Sequence, residues 1–166
     1  DGLKVCYTEG LDVGYRYYDK HPEEICYPFG FGMSYTKFDF SDFSVTQNEE
    51  TVDIDLCIKN IGEYEGSEVL QLYIGKKESC VSRSIKELKA FKKVNLMSGE
   101  NKNITLSVAI RDLSYFNVCL NKWVVEPGVY TLMLGTSSRD IFYSKDIFID
   151  SEVDYTIKTN AQAMMG

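Results

Sequence analysis

Hydrophobic and polar residues alternate along the middle of the chain, most clearly between residues 51 and 75. In the first half of this stretch four aliphatic side chains fall on one face of an extended chain: Val52, Ile54, Leu56 and Ile58. The second half places three more on one face: Leu70, Leu72 and Ile74. A period of two is the period of a β-strand and not of a helix. The intervening residues 60–66 contain two glycines, which favour a chain reversal, so the pattern predicts two amphipathic strands joined by a loop.

Short strands and turns continue along the rest of the chain. The alternation predicts seven strands, near residues 38–47, 51–60, 67–75, 86–95, 101–110, 128–136 and 141–150. Residues 129–134 are apolar on both faces, which indicates a strand in the centre of its sheet. A single helical turn is predicted at 112–116. Seven short strands without long helical patterns favour an all-β fold, a two-sheet antiparallel sandwich.

The two ends of the chain differ from this middle part. Residues 1–37, which we call the arm, are rich in Tyr and Gly, and the glycines and two prolines exclude long regular elements there. A short strand is predicted at 5–7, and we expect the arm to lie over a neighbouring surface. Residues 151–166 lose the alternation and are predicted to be a linker or tail. The predicted sandwich therefore spans residues 38–150.

Composition and charge restrict the classes of function that fit this chain. The net charge of −7 over 166 residues argues against a nucleic-acid partner, which requires a basic surface. Lysines near residues 83–93 are interpreted as a solvated strand edge. No run of about 18 apolar residues predicts a membrane span. Five scattered cysteines without C-x-x-C spacing favour free thiols and a reducing, cytoplasmic location, although secretion remains open. No residue pattern predicts a metal site or a cofactor.

Several short motifs then occur in a recognisable order. They are Tyr7-Thr8-Glu9-Gly10, Gly14-Tyr15-Arg16-Tyr17-Tyr18, Tyr27-Pro28-Phe29-Gly30-Phe31-Gly32, Asn60-Ile61-Gly62, Gln71-Leu72-Tyr73, Lys86-Glu87-Leu88-Lys89 and Glu126-Pro127-Gly128-Val129-Tyr130. Together they resemble the C-terminal fibronectin type III-like domain of glycoside hydrolase family 3, the β-glucosidase and β-xylosidase family, with the interdomain segment that precedes it. Because the chain also begins without Met, we interpret it as a piece of a longer protein.

The resemblance implies a parent enzyme whose chemistry lies elsewhere. Retaining glycosidases use two carboxyl groups about 5 Å apart, as nucleophile and as acid/base. In this family they lie on a barrel domain and an α/β domain, and neither pattern occurs here. No catalytic residue is therefore assigned to this chain, which we expect to support and stabilise the catalytic domains without cleaving glycosides itself. The alternatives are a carbohydrate-binding or a protein-interaction β-sandwich module.

The arm is the part expected to contact the catalytic barrel and α/β domains of the parent. The predicted interdomain contacts are Tyr7, Glu9, Tyr15, Arg16, Tyr17, Phe29, Phe31 and Tyr35. Aromatic residues without a partner surface also predict that the arm could form a dimer when the chain is isolated.

A few polar and aromatic residues outside this list are expected to have structural roles. Glu68 lies in an otherwise apolar strand and needs a loop amide or a basic side chain as partner. Asp53 and Asp55 share a strand face and are expected to contact solvent. His21 is interpreted as a solvated loop residue, and Trp123 as packing in preference to a sugar platform.

Overall fold

The computed structural model describes residues 10–150 and the backbone of residues 153–155. The strand predicted at residues 5–7 and the predicted contacts Tyr7 and Glu9 lie outside this range. These residues contain ten strands: β1 Phe38–Gln47, β2 Thr51–Asn60, β3 Gly66–Lys76, β4 Glu87–Leu96, β5 Asn101–Ala109, β6 Tyr115–Asn117, β7 Lys122–Val125, β8 Gly128–Gly135, β9 Ile141–Ile149 and β10 Val153–Tyr155. One short helix, α1, spans Tyr15–Lys20, and 3-10 turns span Pro22–Glu24 and Ile110–Leu113.

Seven of these strands form the two sheets of a sandwich. One sheet has the order β1-β2-β5 and the other the order β4-β3-β8-β9, with every pair antiparallel. The short strands β10, β7 and β6 form a separate antiparallel ribbon. The predicted all-β sandwich of about seven strands is confirmed, and the apolar strand β8 is central in its sheet, between β3 and β9.

Alternating side chains of both sheets fill the core between them. The aliphatic residues of β2 are at most 2% exposed, and they face Leu70, Leu72, Leu132 and Leu134 of the second sheet, which are fully buried. Where β1 and β9 meet at the edge, Phe40 stacks on Phe142 with ring centroids 4.2 Å apart. This continuous apolar layer is what the alternation in the sequence encodes.

The structure adds elements that the pattern did not predict. The single helical turn lies at Ile110–Leu113, two residues before the predicted position, and β6 follows it. Strands β6, β7 and β10 are only three or four residues long, too short for alternation to be visible. Residues 153–155, within the predicted linker, pair with β7.

Asn60, at the end of β2, joins the last residues of the arm to the sandwich. Its side chain is fully buried, and its Oδ1 accepts hydrogen bonds from Thr36 Oγ1 at 2.6 Å and from the Gly62 N–H at 3.0 Å. Its Nδ2 donates to the carbonyls of Tyr64 and Leu96. A Cβ at Gly62 would overlap the Thr36 hydroxyl, so the Asn-Ile-Gly motif is explained by close packing.

Candidate functional site

The arm covers part of the outer face of the β4-β3-β8-β9 sheet, around Gln71 and Tyr73 of β3. Tyr15 of α1 packs edge-on against Tyr73 of β3, with ring centroids 5.7 Å apart, and its hydroxyl accepts a hydrogen bond from the Leu88 N–H at 2.8 Å. Tyr73 is fully buried although its neighbours Leu72 and Ile74 face the core. Residues 70–75 of β3 are therefore buried on both faces, one by the sandwich core and one by the arm.

Close packing on a buried amide and one backbone hydrogen bond hold the Phe-Gly-Phe-Gly segment of the arm on this face. Gln71 is 3% exposed, donates from Nε2 to the Thr136 carbonyl at 2.7 Å, and accepts from the Tyr73 hydroxyl. Gly30 has φ 83°, and a Cβ there would overlap the Gln71 side chain. The Phe29 carbonyl accepts from the Ser138 N–H at 2.8 Å. Burial raises the pKa of the Tyr73 hydroxyl far above its usual range, so the hydroxyl remains a donor.

Charged side chains also join the arm to the sandwich. Asp19 of α1 forms an ion pair with Lys86 at 2.6 Å, and the two side chains are only 5% and 10% exposed. Arg16 pairs with Glu87 at 3.3 Å. The interpretation of the lysines near residues 83–93 as a solvated edge is therefore wrong for Lys86, which the arm buries.

Residues 27–35 of the arm expose several apolar side chains. Four of them, which we call the apolar rim, are Tyr27 (67%), Phe31 (50%), Met33 (93%) and Tyr35 (97%). The rings of Tyr27 and Phe31 lie 4.9 Å apart, centroid to centroid. Because Gly30 and Phe29 are fixed on the sandwich, this rim has a defined position on the surface.

A cleft of about 460 Å³ lies between this part of the arm and the β8–β9 turn, and we call it the Glu68 cleft. Phe31, Glu68, Arg139 and Asp140 are among its lining residues. The half-buried Glu68 accepts a hydrogen bond from the N–H of its own neighbour Val69 at 2.9 Å, so its partner is a backbone amide and not a basic side chain. Burial and the nearby charge of Asp140 raise the pKa of the Glu68 carboxyl.

The raised pKa predicts that Glu68→Gln stabilises the isolated chain at neutral pH. An acid whose pKa is higher in the folded than in the unfolded state costs stability once the pH exceeds its ordinary value of 4.5. We expect the variant to melt about 2 °C higher than wild type at pH 7, and the difference to disappear below pH 4.5. Thermal unfolding followed by circular dichroism measures this. The exposed Glu63→Gln variant is the control, and an equal rise for both variants would contradict the prediction.

A second carboxylate, Glu126, has a structural role. It is 8% exposed and accepts hydrogen bonds from Ser79 Oγ at 2.6 Å and from the Cys80 N–H at 2.9 Å, and it pairs with Arg83 at 3.2 Å. Burial opposes its ionisation, but these hydrogen bonds and the Arg83 charge prevail and lower the pKa of the Glu126 carboxyl. Glu126 therefore holds the loop between β3 and β4 as an anion.

The remaining candidate residues contact their neighbours. Asp55 accepts hydrogen bonds from Thr105 and Ser44 across the sheet. Trp123 packs edge-on against Phe116, with ring centroids 5.7 Å apart. The ring of His21 stacks on the ring of Tyr17, with centroids 4.3 Å apart. A ring nitrogen of His21 and carboxylate oxygens of Glu23 and Glu24 lie within 4.8 Å of one another on the surface. Among the described cysteines all four are free thiols: Cys26, Cys57, Cys80 and Cys119.

The described contact residues fall into three groups in the structure. Tyr15 and Arg16 contact the sandwich itself, and Tyr17 contacts Glu24 and His21 within the arm. The side chains of Phe29, Phe31 and Tyr35 are about half exposed or more and remain available to a partner. No pattern in the sequence predicts the contacts of Asp19, Gln71 and Lys86. Gln71 and Lys86 lie in the motifs Gln71-Leu72-Tyr73 and Lys86-Glu87-Leu88-Lys89, which indicate that their positions matter, whereas Asp19 lies in none of the motifs. Over the described residues, no helix combines the length and the apolar character needed to cross a membrane.

Comparison with known proteins gives a consistent picture. Residues 68–138 match the fibronectin type III-like domain family. The chain is 45% identical over 154 residues to a β-glucosidase of Kluyveromyces marxianus, covering 90% of this chain and 18% of that protein. It is 42% identical over 154 residues to thermostable β-glucosidase B of Acetivibrio thermocellus, covering 90% of this chain and 20% of that protein.

Solved structures agree with the sequence relatives. The structure of β-glucosidase 3B from Thermotoga neapolitana in complex with α-D-glucose superposes with a TM-score of 0.85 at 39% identity, covering 92% of this chain and 21% of that one. The chain thus spans about a fifth of the length of the relatives it matches.

Proposed function

Because the chain belongs to the fibronectin type III-like domains of family 3 β-glucosidases, we propose that it is a non-catalytic module that supports the catalytic domains of such an enzyme. The parent would hydrolyse β-glucosides or related glycosides with a retaining mechanism, through two carboxyl groups outside this chain. The observation that supports this most is the extent of the match. It includes the arm as well as the sandwich, and it occupies only about a fifth of each relative.

The contacts of the acidic residues support the non-catalytic part of the proposal. A catalytic acid or nucleophile must come within hydrogen-bond reach of the reacting atoms of the substrate. Asp19, Asp55 and Glu126 are instead held by ion pairs or hydrogen bonds within the chain. Glu68 and Asp140 line the Glu68 cleft, and each accepts a hydrogen bond from within the sandwich.

A carbohydrate-binding module would need exposed aromatic rings in a row on a sheet face. Four exposed rings lie on the sandwich, Tyr64, Phe91, Phe116 and Phe148, but each is on a different strand or loop, and no two of these elements are neighbours in a sheet. The other exposed rings among the described residues lie on the arm, and Trp123 is half-buried against Phe116. This arrangement favours contact with a protein surface over contact with a polysaccharide. Calorimetric titration with cello-oligosaccharides and xylan should give no binding heat.

The central experiment compares the purified chain with its parent on nitrophenyl glycosides. We expect glycoside cleavage by the parent and none by the chain of residues 1–166. Sugar release by the chain would overturn the proposal, provided that a single carboxylate substitution such as Asp55→Asn or Glu68→Gln abolishes it. Inactivity of the parent on every β-glycoside of the panel would overturn the assignment of its activity.

A further inference from the structure

The apolar rim and the Glu68 cleft adjoin on one face of the molecule. Phe31 belongs to both, since it lines the cleft and its ring stacks on Tyr27 of the rim. Met33 and Tyr35 are almost entirely exposed, although burying a large apolar side chain normally lowers the free energy of the protein. A cluster of exposed apolar side chains within nine residues of the chain is typical of an interaction site.

The cleft beside the rim carries uncompensated negative charge. Within the described residues neither Glu68 nor Asp140 forms an ion pair. Asp140 accepts a hydrogen bond from Thr136 Oγ1 at 2.8 Å, which leaves its charge unpaired. A half-buried carboxylate next to a second one is unfavourable until a cation joins them.

The arginine that lines this cleft, Arg139, does not pair with either carboxylate. Arg139 lines the same cleft, but its guanidinium points toward the arm. Its Nη2 donates to the Pro22 carbonyl at 2.9 Å and approaches the Tyr18 carbonyl at 3.4 Å. Arg139 thus fixes one wall of the cleft and leaves the two carboxylates facing its open volume.

We propose that this face docks against the part of the parent glycosidase outside residues 1–166, and that the Glu68 cleft receives an arginine or lysine side chain from it. The proposal rests on the proposed function, since it names the surface by which the module would contact its catalytic domains. About four-fifths of each relative lies outside the matched region, and a parent of similar length would supply a large partner surface. The volume of about 460 Å³ accommodates a long cationic side chain, and the two carboxylates match its charge.

Two features make a protein side chain a better occupant than a free ion or a second copy. The apolar rim next to the cleft requires an apolar counterpart, which a metal ion does not supply. A second copy of this acidic chain, with a net charge of −7, would bring like charges together at the cleft.

The test measures binding of the chain to the separately expressed remainder of the parent by isothermal titration calorimetry. We expect Glu68→Gln to weaken binding about tenfold or more, because a partner cation would lose its counter-charge in a desolvated cleft. Since the same substitution should stabilise the isolated chain, weaker binding cannot be attributed to unfolding. A Met33→Ser/Tyr35→Ser double variant should weaken binding about tenfold through lost apolar burial. Val118→Ser, 82% exposed in the β6–β7 turn, is the matched control and should bind as wild type does.

Each other outcome overturns a stated claim. If the wild-type chain does not bind the remainder, the proposed function itself fails. If it binds and the Glu68 and rim variants bind equally well, only the docking surface fails. If the isolated chain binds calcium and Glu68→Gln abolishes that binding, the Glu68 cleft is a metal site and does not receive an arginine or lysine side chain. A dimer of the isolated chain that the rim variant dissociates, without binding to the remainder, would assign the surface to a second copy.

Discussion

Replacing Asn60 with Ala is expected to lower the free energy of unfolding by about 3 kcal/mol. The side chain makes four hydrogen bonds in a fully buried position, two as acceptor and two as donor. Ala would leave the Thr36 hydroxyl and the Leu96 carbonyl without these partners, and each buried unsatisfied group costs about 1–3 kcal/mol. Urea denaturation at pH 7, with the slope unchanged from wild type, measures the loss.

The control for this prediction is Asn95→Ala on β4. Asn95 also joins two segments, through Ser67 Oγ and Glu65 Oε1, but its side chain is exposed. Because water replaces hydrogen bonds at the surface, we expect that variant to lie within about 0.5 kcal/mol of wild type. Similar losses for both variants would mean that burial of Asn60 does not determine its contribution.

Sequence patterns predicted the sandwich well because alternation reports directly on one buried face. The aliphatic side chains of β2 occupy every second position, and the strand occupies residues 51–60, as predicted. In β3 the same rule placed Leu70, Leu72 and Ile74 correctly, but it gave Gln71 and Tyr73 no role. Their burial depends on the arm, which is a different part of the chain, and a local period contains no information about such a partner.

The arm was harder to predict for a related reason. Helix α1 has six residues, fewer than two turns, so it is too short to show a helical period in the sequence. Its Asp19 and the loop residue Lys86 are each ordinary charged residues in sequence, and only their 2.6 Å contact identifies them as a buried pair. By contrast, the expected interdomain role of Phe31 and Tyr35 follows from composition, because aromatic residues in a Gly-rich segment cannot form a core of their own.

The second large effect is expected at this buried pair between arm and sandwich. Asp19→Ala or Lys86→Met should each lower the free energy of unfolding by about 3 kcal/mol, because each leaves the other charge buried without its partner. Lys86 Nζ would then face the Tyr73 ring, whose centroid lies 5.7 Å away, with no carboxylate beside it. In the double variant both charges are gone, and we expect it to be more stable than either single variant.

A double-mutant cycle by urea denaturation gives the coupling between the two residues, which we expect to be about 2 kcal/mol. The matched control is the pair Lys77–Asp146, which has the same 2.6 Å separation but side chains 57% and 47% exposed. Surface pairs of this kind contribute little, so that cycle should give no measurable coupling. Equal coupling in the two cycles would show that burial by the arm does not strengthen the Asp19–Lys86 pair. Strong coupling at Asp19–Lys86 alone would instead mean that residues 15–20 fold as part of the sandwich, so that the module presents the apolar rim to its partner already in place.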